Sequence, residues 1–193
     1  MSFFKNFNDT VYQSLQNCIV TDKDQNVIEI GRGMNDWVAR TNQLKNDNAT
    51  MYFVGNGASS MMAGHMSADA AKNGQIRAQA FHETSLMTAV SNDTAYENVF
   101  AYPLRRFADP GDVLVTISSS GNSPNIMEAI KAAKELDLDI ITLSGKSPEN
   151  GSRPQGILNF YIPSQSYGII ECAHQVLLHS WLDQYMDANG LVI

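Results

Sequence analysis

The feature that most constrains the fold is an alternation that begins near residue 50. Short apolar runs that end in small or polar residues are followed by stretches with helical periodicity. The runs are residues 51–54, 113–117, 140–143 and 157–162, and a further strand is expected within residues 77–81. Helices are expected over residues 59–71, 96–107, 124–136 and 169–186. Such alternation is typical of parallel strands joined by right-handed helical crossovers. We therefore predict an α/β fold, a three-layer sandwich with a parallel sheet.

Residues 1–49 form a different kind of segment. Phe4, Phe7, Val11 and Leu15 recur at helical spacing, and no β-rich run stands out before residue 50. We predict a helical leader over residues 1–49 that belongs to the same unit as residues 50–193, because no linker separates the two.

Charge and cysteine content exclude several functions. The formal net charge is −7 and no block of Lys or Arg stands out, so binding to nucleic acid is not expected. Cys18 and Cys172 are far apart, which argues against a disulfide framework or a thiolate zinc site and favours a reducing compartment. No apolar run is long enough to span a bilayer and no signal peptide is recognisable, so we expect a cytoplasmic protein that does not enter membranes.

Two loops follow predicted strands and precede predicted helices, where backbone N–H groups can face an anion. The first, residues 54–60, contains Asn56, Gly57 and Ser59. The second, residues 118–125, contains Ser118, Ser119, Ser120 and Ser123. Hydroxyls and amides at a helix start can bind a phosphate monoester, although either loop taken alone is also an ordinary polar helix cap. Neither loop completes a dinucleotide fingerprint or a Walker motif, so an NAD-dependent oxidoreductase is not expected.

Two helices carry candidate catalytic or metal-binding side chains. His65 and Asp69 are four residues apart and share one helix face, as an ordinary surface pair also would. The closing helix carries Glu171, His174 and His179. At the helical repeat the two histidines point about 140° apart, so only one can face a common site. Periodicity does not decide which histidine that is.

Several sequence blocks occur in a characteristic order. They are residues 55–59 (GNGAS), 91–93 (SND), 111–114 (GDVL), 117–123 (ISSSGNS) and 141–145 (ITLSG). Together with His65, Asp69, Glu171 and His179, these blocks resemble the sugar isomerase (SIS) domain and, within it, the phosphoheptose isomerases. The resemblance extends from about residue 51 to about residue 186, nearly the whole chain.

The resemblance implies both a fold and an activity. The fold would be the Rossmann- or flavodoxin-like SIS domain, assembled as a homotetramer with the helical leader between subunits. The reaction would convert sedoheptulose 7-phosphate into D-glycero-D-manno-heptose 7-phosphate, with Asp69 and His179 transferring protons. The substrate and its phosphate would contact Asn56, Gly57, Ser59, Asp93, Ser118, Ser119, Ser120 and Ser123. A zinc ion would be bound by His65, Asp69, Glu171 and His179, a ligand set that suits this metal.

The chain departs from the family pattern at five positions, the first of which is Ala58 in place of a glycine of the first loop. Asp69 and Glu171 replace a Glu and a Gln, and Asn73 and Gly168 stand where many members have Arg and Asp. A second hypothesis of another class is a catalytically silent SIS protein that binds a phosphosugar or a protein partner such as a replication initiator. Such relatives lack the histidine that corresponds to His179, so its presence favours catalysis.

Overall fold

The computed structural model describes residues 2–192. The helices are α1 (Phe3–Gln16), α2 (Ile30–Asn46), α3 (Ala58–Lys72), α4 (Thr84–Asp93), α5 (Ala101–Phe107), α6 (Pro124–Glu135) and α7 (Tyr167–Ala188), with a 3₁₀ turn at Tyr96–Asn98. The strands are β1 (Ile19–Asp22), β2 (Val27–Ile28), β3 (Met51–Gly55), β4 (Ala78–Ala80), β5 (Val113–Ser118), β6 (Asp139–Gly145) and β7 (Leu158–Ile162). All seven strands form one sheet in the order β2-β1-β7-β6-β5-β3-β4.

The central strands form the parallel part of the sheet that the apolar runs predict. Strands β3, β5, β6 and β7 are buried along almost their whole length. Val115 of β5, for example, pairs with Phe53 of β3 on one side and with Ile141 of β6 on the other. Near-continuous apolar runs of this kind are typical of strands covered by helices on both faces.

Two apolar clusters cover the two faces of the sheet and give the three-layer arrangement. On one face, Trp37 of α2 stacks on Trp181 of α7 with ring centroids 4.8 Å apart, and both rings are fully buried, Trp37 against β7 and Trp181 against β3. On the other face, Leu104 of α5 and Ile126 of α6 pack with Leu114 of β5. Because successive strand side chains point to opposite faces, β5 contributes Val113 and Val115 to one cluster and Leu114 to the other.

The leader is not wholly helical, which corrects the prediction that residues 1–49 contain no β structure. Between α1 and α2 lies a hairpin, β1–β2, and β1 pairs antiparallel with β7 through Val20 and Phe160. The sheet is therefore mixed. Val20 packs into the same apolar cluster as Trp37, so burial against β7 stabilises a strand too short to be recognised locally.

Within residues 2–192, no helix combines the length and the apolar character that spanning a bilayer requires.

Candidate functional site

The first loop connects β3 to α3 in a tight turn. Gly57 is the N-cap of α3 with a φ of +58°, a left-handed conformation that glycine adopts without strain. A Cβ atom on Gly55 would lie 2.5 Å from the carbonyl oxygen of Ser59, so glycine is also required where the strand ends. The turn directs the first residues of α3 toward the carboxyl edge of the sheet.

A pair of amides joins this loop to the start of α6. Asn56 Nδ2 donates to Asn125 Oδ1 (2.9 Å), and Asn125 Nδ2 donates back to Asn56 Oδ1 (2.8 Å). The hydroxyl of Tyr96 also donates to Asn56 Oδ1 (3.3 Å). Asn125 and Tyr96 were not predicted as site residues, because their role depends on a partner 69 or 40 residues away in the chain.

The second loop, the serine loop (residues 118–123), has hydroxyls in two different states. Ser118 Oγ and Ser120 Oγ accept hydrogen bonds from the backbone N–H groups of Gly121 (3.2 Å) and Asn122 (3.3 Å). Ser119 Oγ is buried and has no partner among the described residues. A buried hydroxyl without a partner is costly, so Ser119 is poised to bind a polar ligand.

The serine loop is held in place by the segment that follows β6. Ser152 N–H donates to Gly121 O (2.9 Å), and Gly151 N–H donates to Asn122 Oδ1 (2.7 Å). The side chain of Asn150 is buried beneath Gly121, where a Cβ atom would lie 2.0 Å from Asn150 Oδ1. Gly121 also has a φ of +63°, so two separate constraints require glycine at this position.

The two loops enclose a cavity of about 190 Å³. Its lining comprises Asn56, Ser59, Ile117, Ser118, Ser119, Ser120, Ser123, Tyr167 and Glu171. Six of the predicted substrate-binding residues are in this set, together with Glu171. Gly57 is not in the lining and shapes the turn instead. Asp93 is also outside it: its carboxylate lies exposed at the end of α4, where Asn92 Nδ2 donates to it (2.8 Å).

A larger cavity lies at the opposite edge of the sheet, near the amino ends of β3 and β5. It measures about 590 Å³, and its lining includes Arg77, Asp109 and Asp112. The carboxylate of Asp112 already accepts the backbone N–H groups of Thr50 (2.7 Å) and Asp109 (2.9 Å), so it stabilises the loops there. Ligands of open α/β sheets bind at the carboxyl ends of the strands, which favours the smaller cavity as the functional one.

A cluster of two imidazoles and a carboxylate lies between α3 and α7. His65 Nε2 is 3.3 Å from Asp69 Oδ2, and the rings of His65 and His179 have centroids 5.2 Å apart. His65, Asp69 and His179 can each offer one ligand atom such that all three atoms lie within 4.8 Å of one another. Imidazole nitrogens and a carboxylate oxygen are the donors of catalytic zinc sites, which keep a fourth position open, so this donor set fits zinc.

Glu171, the fourth predicted metal ligand, does not join this cluster. Helix α7 is continuous from Tyr167 to Ala188, and eight residues of helix separate Glu171 from His179 by about 12 Å along the axis. Glu171 and His179 could bind one ion only if α7 began irregularly near Glu171, and it does not. The regular helix places Glu171 in the lining of the serine-loop cavity instead.

His174 belongs to the core. Its side chain is fully buried, and Nε2 donates to the carbonyl oxygen of Ser144 (3.1 Å), since a carbonyl can only accept. Burial lowers the pKa of His174 to about 4. The packing of α7 thus directs His179 toward Asp69 and buries the other histidine, a choice that periodicity left open.

The buried imidazole predicts a loss of stability in acid. In the unfolded chain a histidine has a pKa of about 6.5, so between pH 6.5 and 4 the unfolded state binds a proton that the folded state does not. Stability should fall over this range as the pH decreases, by up to about 3 kcal/mol from this group. Urea unfolding at pH 7 and pH 4.5 should show a smaller acid-dependent loss in His174→Gln than in the native chain. Equal losses in the two proteins would contradict this account.

His82 and Glu83, which directly precede α4, have local structural contacts. His82 Nε2 lies 3.0 Å from Ser60 Oγ, and partial desolvation of the ring lowers its pKa. A Cβ atom on Gly64 would lie 2.6 Å from the His82 ring, so that glycine leaves room for it. Glu83 is the N-cap of α4, where its carboxylate accepts the backbone N–H groups of Ser85 and Leu86.

The site therefore combines two chemical capacities. The serine-loop cavity presents hydroxyls and backbone amides that suit an oxyanion. The α3–α7 cluster places a carboxylate beside imidazoles, the groups that enzymes use for proton transfer.

Known proteins are similar to this chain in sequence and in fold. The family model of the SIS domain matches residues 32–145. The phosphoheptose isomerase of Mycobacterium tuberculosis is 36% identical over 140 residues, which cover 68% of this chain and 70% of that protein.

Solved structures agree with this comparison. The phosphoheptose isomerase of Neisseria gonorrhoeae superposes with a TM-score of 0.73 at 30% identity, over 80% of this chain and 86% of that one. A phosphoheptose isomerase from Francisella tularensis shares the fold at 19% identity, with a TM-score of 0.80 over 97% of this chain and 100% of that one. The family model and the relatives agree with the resemblance of the sequence blocks, and the chain belongs to the SIS-domain family, among the phosphoheptose isomerases.

Proposed function

We propose that this protein is a phosphosugar aldose–ketose isomerase that converts sedoheptulose 7-phosphate into D-glycero-D-manno-heptose 7-phosphate. The observation that carries the proposal is that α3 and α7 both contribute to the lining of the oxyanion cavity and together carry the carboxylate–imidazole cluster. The relatives named phosphoheptose isomerase support the choice of substrate.

The spacing along the two helices suits an extended sugar phosphate. Ser59 in the cavity and His65 in the cluster are six residues apart on α3, about 9 Å along the axis. Glu171 and His179 are about 12 Å apart on α7. An open-chain sugar with a terminal phosphate is of similar length, so it can place its phosphate in the cavity and its carbonyl end near the cluster.

The isomerisation itself requires one carbon-bound proton to move between neighbouring carbons. In the ketose-to-aldose direction, a base removes a proton from C1 while an acid protonates O2, which gives an enediol. The base then returns its proton to C2, and the deprotonated acid takes the proton from O1, so both groups end as they began. Asp69 is the proposed base and His179 the proposed acid. The imidazole of His65, 3.3 Å from the Asp69 carboxylate, orients that carboxylate.

His65, Asp69 and His179 are also the residues that would hold a zinc ion. When bound there, zinc would supply Lewis-acid polarisation of the sugar oxygens. The carboxylate of Asp69 is one methylene shorter than the glutamate of the family pattern, so its own position relative to the substrate determines how well it acts as a base.

The direct test is an NMR assay of the purified protein with ketose phosphates of five to seven carbons, with and without added zinc. We expect conversion of sedoheptulose 7-phosphate into an aldose and slower conversion of the shorter ketoses. If none of these substrates is converted under either condition, the proposed isomerase function is wrong. That result would favour the alternative, a non-catalytic protein that binds a sugar phosphate or a replication initiator. The proximity of Asp69 and His179 favours the isomerase.

The serine loop should provide much of the affinity for phosphate. The double replacement of Ser119 and Ser120 by Ala removes two hydroxyls from the cavity lining. The hydroxyl of Ser119 is the buried one that has no partner within residues 2–192. We expect the Kd for a sugar phosphate to rise at least tenfold, which corresponds to about 1.4 kcal/mol. Isothermal titration calorimetry measures this change, with Ser85→Ala on the exposed surface of α4 as the control. An unchanged Kd in the double variant would remove the loop from the binding site.

We also propose a homotetramer in which α1 contributes to the subunit contacts. Phe3, Phe4 and Tyr12 of this helix are 84%, 74% and 59% exposed, more apolar surface than a free helix face usually presents. Light scattering at micromolar concentration should give a multiple of the chain mass, and Phe4→Glu should lower it. Gln13→Glu, on the opposite side of α1, is the matched control. A monomer mass for the native protein would refute this assembly.

A cytoplasmic location stays a prediction, which the free thiols of Cys18 and Cys172 support.

A further inference from the structure

Lys146 lies at the carboxyl edge of the sheet, directly after the last residue of β6. Its backbone is fixed on both sides: its N–H donates to Ser164 O (3.0 Å), and its carbonyl accepts from Tyr161 Oη (2.9 Å) and Gln165 Nε2 (3.1 Å). Its φ is +55°, a left-handed conformation that costs a non-glycine residue about 1 kcal/mol. The hydrogen bonds maintain this conformation and so determine the direction in which the side chain leaves the edge.

The ammonium group of Lys146 contacts Tyr167, a residue of the serine-loop cavity lining. Its Nζ atom is 3.3 Å from the centroid of the Tyr167 ring, and Tyr167 lines the cavity with 55% of its surface exposed. Lys146 forms no ion pair with any carboxylate among residues 2–192. A cation over an exposed aromatic ring gains only about 0.5–1 kcal/mol, so the ring holds the side chain weakly.

The charge of the cavity explains why a cation is needed there. Its lining contains no Lys or Arg, and the one ionisable carboxylate in it is that of Glu171. A phosphate monoester brings up to two further negative charges, which the hydroxyls and amides of the serine loop bind but do not neutralise. The flexible four-carbon stem of a lysine allows its ammonium group to move from the Tyr167 ring to an oxyanion in the cavity.

We propose that Lys146 is a substrate-binding residue of this site: it pairs with the phosphate of the bound sugar and rests on Tyr167 when the cavity is empty. The proposal depends on the proposed function, because it assumes that the serine-loop cavity receives a phosphate. The lysine offsets the carboxylate of Glu171 and makes binding selective for an anionic substrate.

The test compares Lys146→Met, which keeps an apolar stem without the charge, with Lys146→Arg, which keeps the charge. Lys146→Met should raise the KM for sedoheptulose 7-phosphate and the Kd for inorganic phosphate about tenfold each, with kcat within about twofold of the native value. Lys146→Arg should stay within about threefold in all three quantities. Lys131→Met, which removes an exposed lysine of α6 that pairs with Glu128, is the control for general loss of charge.

Activity and phosphate binding of the native protein show whether a failure concerns Lys146 alone or the proposed function as well. If the native protein isomerises the sugar phosphate and Lys146→Met matches it in KM and Kd, the lysine does not bind phosphate. If Lys146→Arg raises KM and Kd as much as Lys146→Met does, the positive charge is not what binds the phosphate, and the proposal is also overturned. If the native protein neither binds inorganic phosphate nor converts the sugar, both proposals are wrong. Circular dichroism on each variant shows whether the fold is retained.

Discussion

Asp69→Asn and His179→Ala should each lower the kcat for sedoheptulose 7-phosphate on the order of 10²- to 10⁴-fold, the usual contribution of a positioned acid or base. The asparagine keeps the shape of the carboxylate but cannot accept the C1 proton, and the alanine removes the imidazole that lies beside His65. Binding of inorganic phosphate should change little, because neither residue lines the serine-loop cavity. The measurement is kcat from the NMR assay alongside calorimetric phosphate binding.

Two further variants make this prediction specific. His174→Gln, on the same helix but in the core, should retain kcat at neutral pH because His174 contacts Ser144 and not the cluster. Asp69→Glu restores the carboxylate length of the family pattern and should keep at least a tenth of the native kcat. If Asp69→Asn keeps its activity, or if His174→Gln loses activity while His179→Ala keeps it, the assignment of the proton-transfer pair is wrong.

Gly121→Ala should destabilise the protein by roughly 3 kcal/mol or more and abolish phosphate binding in the folded fraction. The added methyl group would lie 2.0 Å from the side chain of Asn150, and the φ of +63° is unfavourable for alanine. Since Asn150 is buried and also donates to Ser147 O (2.8 Å), it cannot move away without breaking contacts that hold the serine loop. Urea unfolding and phosphate titration measure the two effects.

Gly111→Ala separates the two contributions to this effect. Gly111 also has a positive φ, of +92°, but no atom of the described residues beyond its chain neighbours lies within 4 Å of the position where a Cβ would be placed. Gly111→Ala should therefore lower the free energy of unfolding only by the backbone strain, about 1 kcal/mol, and should leave phosphate binding unchanged. Similar losses in both variants would mean that the contact with Asn150 does not hold the serine loop.

Local patterns were sufficient for most of the sheet and for placing the two loops at one edge of it. The apolar runs around Val115 and Ile141 are strands, and the loops after β3 and β5 line one cavity, because parallel strands bring their carboxyl ends to the same edge. The hairpin of the leader could not be predicted in this way. Strand β2 has only two residues, and β1 is a strand because it pairs with β7, about 140 residues further along the chain.

The sequence by itself determined which residue types were available to the site and on which elements they lie: serines at one helix start, His65 and Asp69 on one face of α3, and two histidines on α7. Only the tertiary structure decided which of them meet. Packing of α7 against the sheet buries His174 beneath Ser144 and turns His179 toward Asp69, and the regular course of the same helix separates Glu171 from them. Helical periodicity specifies angles within one element, whereas contacts between elements depend on how those elements pack, which no local pattern encodes.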